Sequence, residues 1–440
     1  MRTVASVSRV RFLLVLPLSV AVAVLGWILP MWLTLGVAMA TVAVLLFSLR
    51  LRHAAGSQGA GVTYLCGCFL LMPATGVYVV SVLSVGQAAA FGTLLAFLMR
   101  PRAVRRPPNR RAFALPAGLL LLVGGGIAAY WNGTSDSVGF LQELTVVVLP
   151  VVLAMRRFGP TREEAMAFMK AWLVGVLLSV MAGLTFARFP SGRSAGFTSH
   201  PNQFGMQTAM AIPVVWGLYE NGRLNRPQAL LSMVVLWVAV LASGARSGLL
   251  AAGIGTLLVA YRAVGGVATV IASVLFGVLG AFLLTGSASG LASAGALGRL
   301  LGQSSTSASD AGRVDLMREG LARVSSWDTA LLGAGWTADH QPHNLIILAW
   351  VSAGVMGILA VALLFGIPLV RTVNFRIESF EWSLAVAALT FLAAALLNNA
   401  LTAPFAWAVF ALMEFRWSDP APRRADRPIA SADSVLIRRG

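Results

Sequence analysis

Charge is what this chain has least of. Only 11% of its 440 residues are charged, and only 16 are acidic, where a water-soluble domain carries about 25% charged residues. That shortage excludes an ordinary soluble fold. Cysteine is scarcer still: there are two, Cys66 and Cys68, both inside an apolar run. They are too close for an ordinary disulfide and have no metal-binding company, so they read as small lipid-buried residues. Histidine occurs four times, at His53, His200, His340 and His343. His340, His343 and Asp339 lie near one another, but HxxxH and HExxH spacings are missing and no carboxylate cluster adjoins them, so no metal is expected. A Walker loop and a GxSxG elbow are missing too, and with them the usual carriers of nucleotide and serine-hydrolase chemistry.

What the chain has is apolar length. It is 58% hydrophobic with a mean hydropathy of +0.81. Long apolar runs without strand alternation, in a medium that leaves no backbone group unpaired, mean helices. The expected fold class is all-α: a polytopic membrane bundle of about 12–14 transmembrane helices. The spans fall at 12–30, 32–49, 60–81, 85–99, 112–130, 137–154, 168–187, 203–219, 228–243, 247–261, 264–285, 345–370, 382–398 and 402–416. Arg2, Arg9 and Arg11 before the first run resemble a signal peptide, but the run continues into the next without a polar segment, so an uncleaved span is expected. Gly124, Gly125 and Gly126 sit inside a span and read as helix packing.

The net charge of +17 would suggest nucleic acid in a soluble protein. Here the basic residues occupy short loops, so they read as topology signals and anionic-lipid contacts, with no nucleic-acid partner. An inside N-terminus places all but seven of the 33 basic residues in the cytoplasm, as the positive-inside rule favours. The seven are Arg188, Arg193, Arg246, Arg299, Arg313, Arg318 and Arg323. The chain then divides into N-terminal spans (1–187), a core (188–418) with one large extracytoplasmic loop (286–342), and a basic, disordered cytoplasmic tail (419–440). Within that loop Val314, Met317, Leu321 and Val324 recur at helical spacing behind Asp310, a plausible N-cap, predicting an amphipathic helix against the membrane mouth.

Three outer-face places hold polar groups where an apolar helix begins or ends. The first is RFPSGRSAGFTSHPNQFG, with Arg193 between small residues and Ser199-His200-Pro201-Asn202 leading into a helix. Helix N-termini attract phosphate, and a guanidinium fork grips two of its oxygens; the plainer reading is one solvated loop arginine. The second is Arg246 in LASGARSGLL, in a short turn between apolar runs. An arginine at membrane depth costs at least about 2.5–3.5 kcal/mol and so seeks a polar cavity, unless it merely snorkels from a helix end. The third is His343-Asn344, after Pro342 and before a long apolar run. Histidine's ordinary pKa, about 6.5, suits proton transfer near neutrality; the plainer reading is an interfacial side chain without a role. After it, Ala353, Gly354 and Gly357 form a small-residue seam for close helix packing.

The order of these places is familiar. An Arg-Ser-x-Gly loop with Pro-Asn precedes a helix, a turn with Ser243 and Arg246-Ser247 follows, and a long outer loop carries Gly-Arg, Leu-Leu-Gly-x-Gly and finally His-Asn before Gly-x-x-Gly. Over residues 190–400 the chain resembles the bacterial O-antigen ligase and polysaccharide polymerase-like membrane family. That resemblance implies a metal-independent glycosyltransferase without cofactors, in the inner membrane. It would move a glycan from a polyprenyl-pyrophosphate carrier to a hydroxyl on a lipid, glycan or protein, on the extracytoplasmic face. It further implies that Arg193 and Arg246 hold the pyrophosphate and His343 acts on the acceptor hydroxyl, with Asn202, Asn344 and Arg313 in support. The chemistry is self-consistent: a pyrophosphate leaves without being protonated, so no glycosidase-like carboxylate pair is required. Rival readings are a transporter of a small anion or sugar-lipid, a protein O-oligosaccharyltransferase, and a non-catalytic envelope assembly partner. A transporter needs polar groups near the midplane, where Glu143 and Lys170 are the main candidates.

Overall fold

The computed structural model describes residues 58–80, 83–98, 112–132, 135–187, 193–264, 307–337, 341–374 and 377–417. The expected spans at 12–30 and 32–49, nearly all of that at 264–285, the arginine-rich loop 100–111, His340 and the tail 419–440 lie outside these residues. The described residues are almost wholly helical. In chain order the helices are α1 Gln58–Leu71, α2 Val85–Gly92, α3 Ala114–Asn132, α4 Ser135–Glu143, α5 Leu149–Phe158, α6 Arg162–Thr185, α7 Pro201–Glu220, α8 Arg226–Ala242, α9 Arg246–Val264, α10 Ser307–Arg323, α11 Trp327–Leu332, α12 Leu345–Val373, α13 Ser379–Ala395 and α14 Pro404–Leu412. A π-helical turn, Leu144–Val148, joins α4 to α5.

Local sequence sets many of these ends. Thr161 and Glu164 open α6 with a reciprocal capping box, and Asn225 and Gln228 do the same for α8, satisfying donors that a first turn leaves unpaired. Pro201 and Pro404 occupy the first turns of α7 and α14, where a missing N–H costs nothing.

Among the described residues, four stretches are long and apolar enough to cross a membrane: Ala114–Asn132, Ser137–Phe158, Arg162–Thr185 and Leu345–Val373. Several expected spans are shorter than their apolar runs. The run at 60–81 stops being helical at Leu71; Pro73 follows, which cannot continue the ladder, and the chain turns into a small antiparallel hairpin of β1 (Tyr78–Val80) and β2 (Leu83–Ser84). The run at 85–99 becomes an eight-residue α2 followed by the 3-10 segment Thr93–Leu98. That at 402–416 yields only the nine residues of α14, about 13 Å of helix. Its residues are all buried in protein, where Phe405 and Phe410 each pack edge-on with Phe391, and Trp407 packs edge-on with Phe410. An apolar run of that length does not distinguish a lipid-facing span from a protein core.

The expected single span at 345–370 is also interrupted. Gly354 has φ 59° and ψ −145°, a conformation open essentially to glycine. It divides α12 into a nine-residue first part and a second part long enough to span by itself. The carbonyl of Val351 accepts hydrogen bonds from the N–H groups of Ala334 and Gly335 (2.8 and 3.1 Å). Residues 331–337 thus form a strap seated in the break. Asn132 donates to the Gly333 carbonyl, Trp350 Nε1 to Ala330, and Arg323 to the carbonyls of Ala334 and Gly335 and to Thr337 Oγ1. The Trp336 ring stacks on Phe140 at 5.6 Å between centroids. The glycine seam is therefore a docking point as well as a packing surface: Gly124 meets Ala353 closely enough that a Cβ would clash with its carbonyl, and Gly333 abuts Gly354.

Two polar ends flank the apolar middle. At one, Arg156 pairs with the wholly buried Glu414 (2.5 Å), Arg162 with Glu378 (2.5 Å), and Arg371 donates to the Met413 carbonyl. The opposite end holds Arg193, the turn before Arg246, and the start of α12.

Candidate functional site

α10 begins at Ser307, so Asp310 is inside the helix and does not cap it, a correction to the expected start. Its apolar stripe also divides. Met317 and Val324 pack with Ala334, Ile347, Trp350 and Val351, while Val314 and Leu321 remain exposed. Gly320 lets the helix lie on the start of α12: a Cβ there would stand 2.8 Å from Pro342 Cγ. That approach points the face carrying Gly312, Asp315, Leu316 and Glu319, together with Arg313, at His343.

A cavity of about 540 Å³ results, lined by those residues with His343, His200 and Asn202. His343 is half-buried, and its Nδ1 is buried without a hydrogen-bond partner among the described residues. Its pKa lies below the ordinary histidine value, first because burial disfavours the charged ring and second because the Arg313 guanidinium is close. Both effects favour the neutral imidazole, the form that can act as a base.

Asn344 fixes this ring's place in the chain. Its Oδ1 caps α12 by accepting from the N–H groups of Ile346 and Ile347 (2.9 and 3.1 Å), and its Nδ2 donates to the Leu396 carbonyl (3.0 Å). The Asn344 side chain is committed to the fold, so its support is positional.

Arg193 stands behind the cavity wall. Its Nε donates to the Ser243 carbonyl (2.8 Å) and its Nη2 to Asn202 Oδ1 (2.9 Å). The backbone N–H of Ser194 donates to the Ala242 carbonyl (3.0 Å). A cation at the C-terminus of α8 thus satisfies a carbonyl left open by the helix end and orients the cavity residue Asn202. The Ser243-Gly244-Ala245 turn works because Gly244 has φ 63° and Ser243 Oγ accepts from the Ala245 N–H (3.1 Å). Arg246 is then the first residue of α9 and half-buried. Close contact between Gly205 and Gly248 holds the first turns of α7 and α9 together.

The structure therefore brings His343, Arg313 and Asn202 to one cavity, and Arg193 to within one hydrogen bond of it. Arg246 is not among the residues lining the cavity. The sequence reading gave His200 no role of its own. It caps α7, its Nδ1 accepting from the Asn202 N–H (3.1 Å), which leaves its ring proton on Nε2 when neutral. Its place before Pro201 was the available signal. Asp315 and Glu319 were missed as well, although their four-residue spacing puts them on one helix face. Among the described residues no group of three or more His, Cys, Asp or Glu gathers as metal ligands.

Comparison of the chain with family models, with curated proteins and with solved structures finds no match.

Proposed function

We propose that the chain is a membrane glycosyltransferase that moves a glycan from a polyprenyl-pyrophosphate carrier to a hydroxyl acceptor, with its cavity on the extracytoplasmic side. The observation that carries this reading is a histidine held toward its neutral form and lining a cavity that also holds Arg313 and the Arg193-tethered Asn202. In the reaction the acceptor O–H attacks the anomeric carbon, and His343 takes its proton. The bond from that carbon to the phosphate oxygen breaks, and the pyrophosphate departs with the electron pair. Arginines stabilise that charge by fixed hydrogen bonds. Arg313 and Arg193 lie at or just behind the wall, and Arg246 comes from the adjoining turn.

The break in α12 lends some support to a second reading, a carrier of a small anion or sugar-lipid, because interrupted helices build transporter sites. In this protein the open carbonyl at the break is already taken by the strap, which favours the enzyme. Purified protein in lipid vesicles, supplied with polyprenyl-pyrophosphate-linked glycan and a hydroxyl acceptor, tests the choice. The enzyme releases free polyprenyl pyrophosphate in step with product. Movement of intact lipid-linked glycan across the vesicle membrane without release would establish the carrier.

A further inference from the structure

The short link between α13 and α14, residues 396–403, looks in the sequence like a polar gap between two apolar runs. In the structure it bonds to residues that flank Arg246 and His343 in the chain. Asn398 is buried to 3% exposure; its Nδ2 donates to Ser247 Oγ (2.6 Å) and to the Ala394 carbonyl (3.0 Å). Ser247, itself buried, is the residue after Arg246. One position further on, Asn399 Nδ2 donates to Gln341 Oε1, two residues before His343. The Leu396 carbonyl accepts a hydrogen bond from Nδ2 of Asn344, the residue after His343. Thr402 reaches the other way, donating to Glu143 Oε2 (2.8 Å) beside the π-helical turn.

We infer that Leu396–Asn399 is a strut that sets the distance between the Arg246-bearing turn and His343, with Asn398 and Asn399 as positioning residues for opposite halves of the reaction. The inference rests on the glycosyltransferase reading for its kinetic consequences. Two amides in consecutive positions, Asn398 buried and Asn399 half-buried, grip two segments that are far apart in sequence. Buried side-chain amides with their partners satisfied are rigid, and losing one partner strands the other. Asn398 thereby fixes the first turn of α9, which carries Arg246, against α13. Asn399 and the Leu396 carbonyl fix both sides of His343. A shift of about 1 Å between reacting groups is enough to cost about 100-fold in rate, so the length of this strut matters even though none of its side chains need touch substrate.

The two ends predict different kinetic signatures. Ser247→Ala and Asn398→Ala loosen the Arg246 end and raise the KM for lipid-linked donor about 5- to 30-fold, leaving the pH profile unchanged. Ser247→Thr keeps the hydroxyl and restores the donor KM. Asn399→Ala and Gln341→Ala loosen the His343 end; they lower kcat and move the acidic limb of the pH profile, with donor KM near wild type. Binding of polyprenyl pyrophosphate alone supplies a readout free of turnover: Ser247→Ala weakens it by the same factor, and Asn399→Ala does not. Wild-type behaviour in all four deletions overturns the strut, as does an equal loss of kcat and KM at both ends accompanied by a lower melting temperature. A wild type that binds polyprenyl pyrophosphate without transferring glycan refutes the enzyme reading, and the binding series still decides the Asn398 end. If it binds none, both fall.

Discussion

Arg193→Lys is the substitution whose cost is best defined by the geometry. The guanidinium donates from two different nitrogens to two acceptors on separate elements, the Ser243 carbonyl at the end of α8 and Asn202 Oδ1 at the start of α7. A lysine ammonium keeps the charge but is a single point on a flexible stem. It can hold one of these acceptors well, not both in the same plane. One charge-assisted hydrogen bond is lost, about 1.5–3 kcal/mol, which is about 10- to 150-fold in an equilibrium constant. Because Asn202 lines the cavity and Ser243 begins the turn before Arg246, the loss should appear as weaker binding of polyprenyl pyrophosphate by that factor, measured by titration into purified protein in nanodiscs. Asn202→Ala removes one of the same bonds, so Arg193→Lys and Asn202→Ala combined should cost much less than the sum of the two singly. Wild-type affinity in Arg193→Lys, or strict additivity with Asn202→Ala, would refute the clamp.

Other expectations follow from individual contacts. Burial and Arg313 both hold the His343 pKa below its ordinary value. A base works only when neutral, so the rate should fall on an acidic limb that lies below the ordinary histidine range, and Arg313→Gln, by removing a repelling charge, should move that limb upward in a pH series; an unmoved limb contradicts the contact. Gly354→Ala places a Cβ 2.2 Å from the Leu331 carbonyl in a glycine-only conformation, so it should unseat the strap, seen as rapid amide exchange at Ala334 and Gly335. Glu414→Ala leaves Arg156 without its buried partner and the Leu115 N–H without its acceptor. It should cost about 3–5 kcal/mol, read as a marked fall in melting temperature, whereas Asp315→Ala breaks only an exposed 3.6 Å pair with Arg318 and should change stability by less than about 1 kcal/mol.

How far the sequence carried can be seen at particular residues. Helical class followed from apolar length, and Arg193, Asn202 and His343 stood out because polar groups at the ends of apolar runs are costly unless used. The break at Gly354 was invisible, since the run around it is uniformly apolar and a glycine there serves packing as well as it serves a kink. α14 was misjudged for a related reason: its surroundings are protein side chains, and hydropathy measures only that they are not water. The roles of Asn398 and Asn399 were out of reach because their partners, Ser247 and Gln341, lie 151 and 58 residues away, and no local pattern encodes such a pairing. His200 was undervalued because histidine is not among the usual capping residues.

The most direct test of the central claim is release of free polyprenyl pyrophosphate from a lipid-linked glycan by purified protein in vesicles, with wild type and His343→Ala compared. Wild type is expected to release it only when the acceptor is present. In His343→Ala the rate is expected to be lower by about 10²- to 10⁴-fold, with binding of polyprenyl pyrophosphate retained. No release by wild type, or release at the wild-type rate by His343→Ala, would contradict that claim.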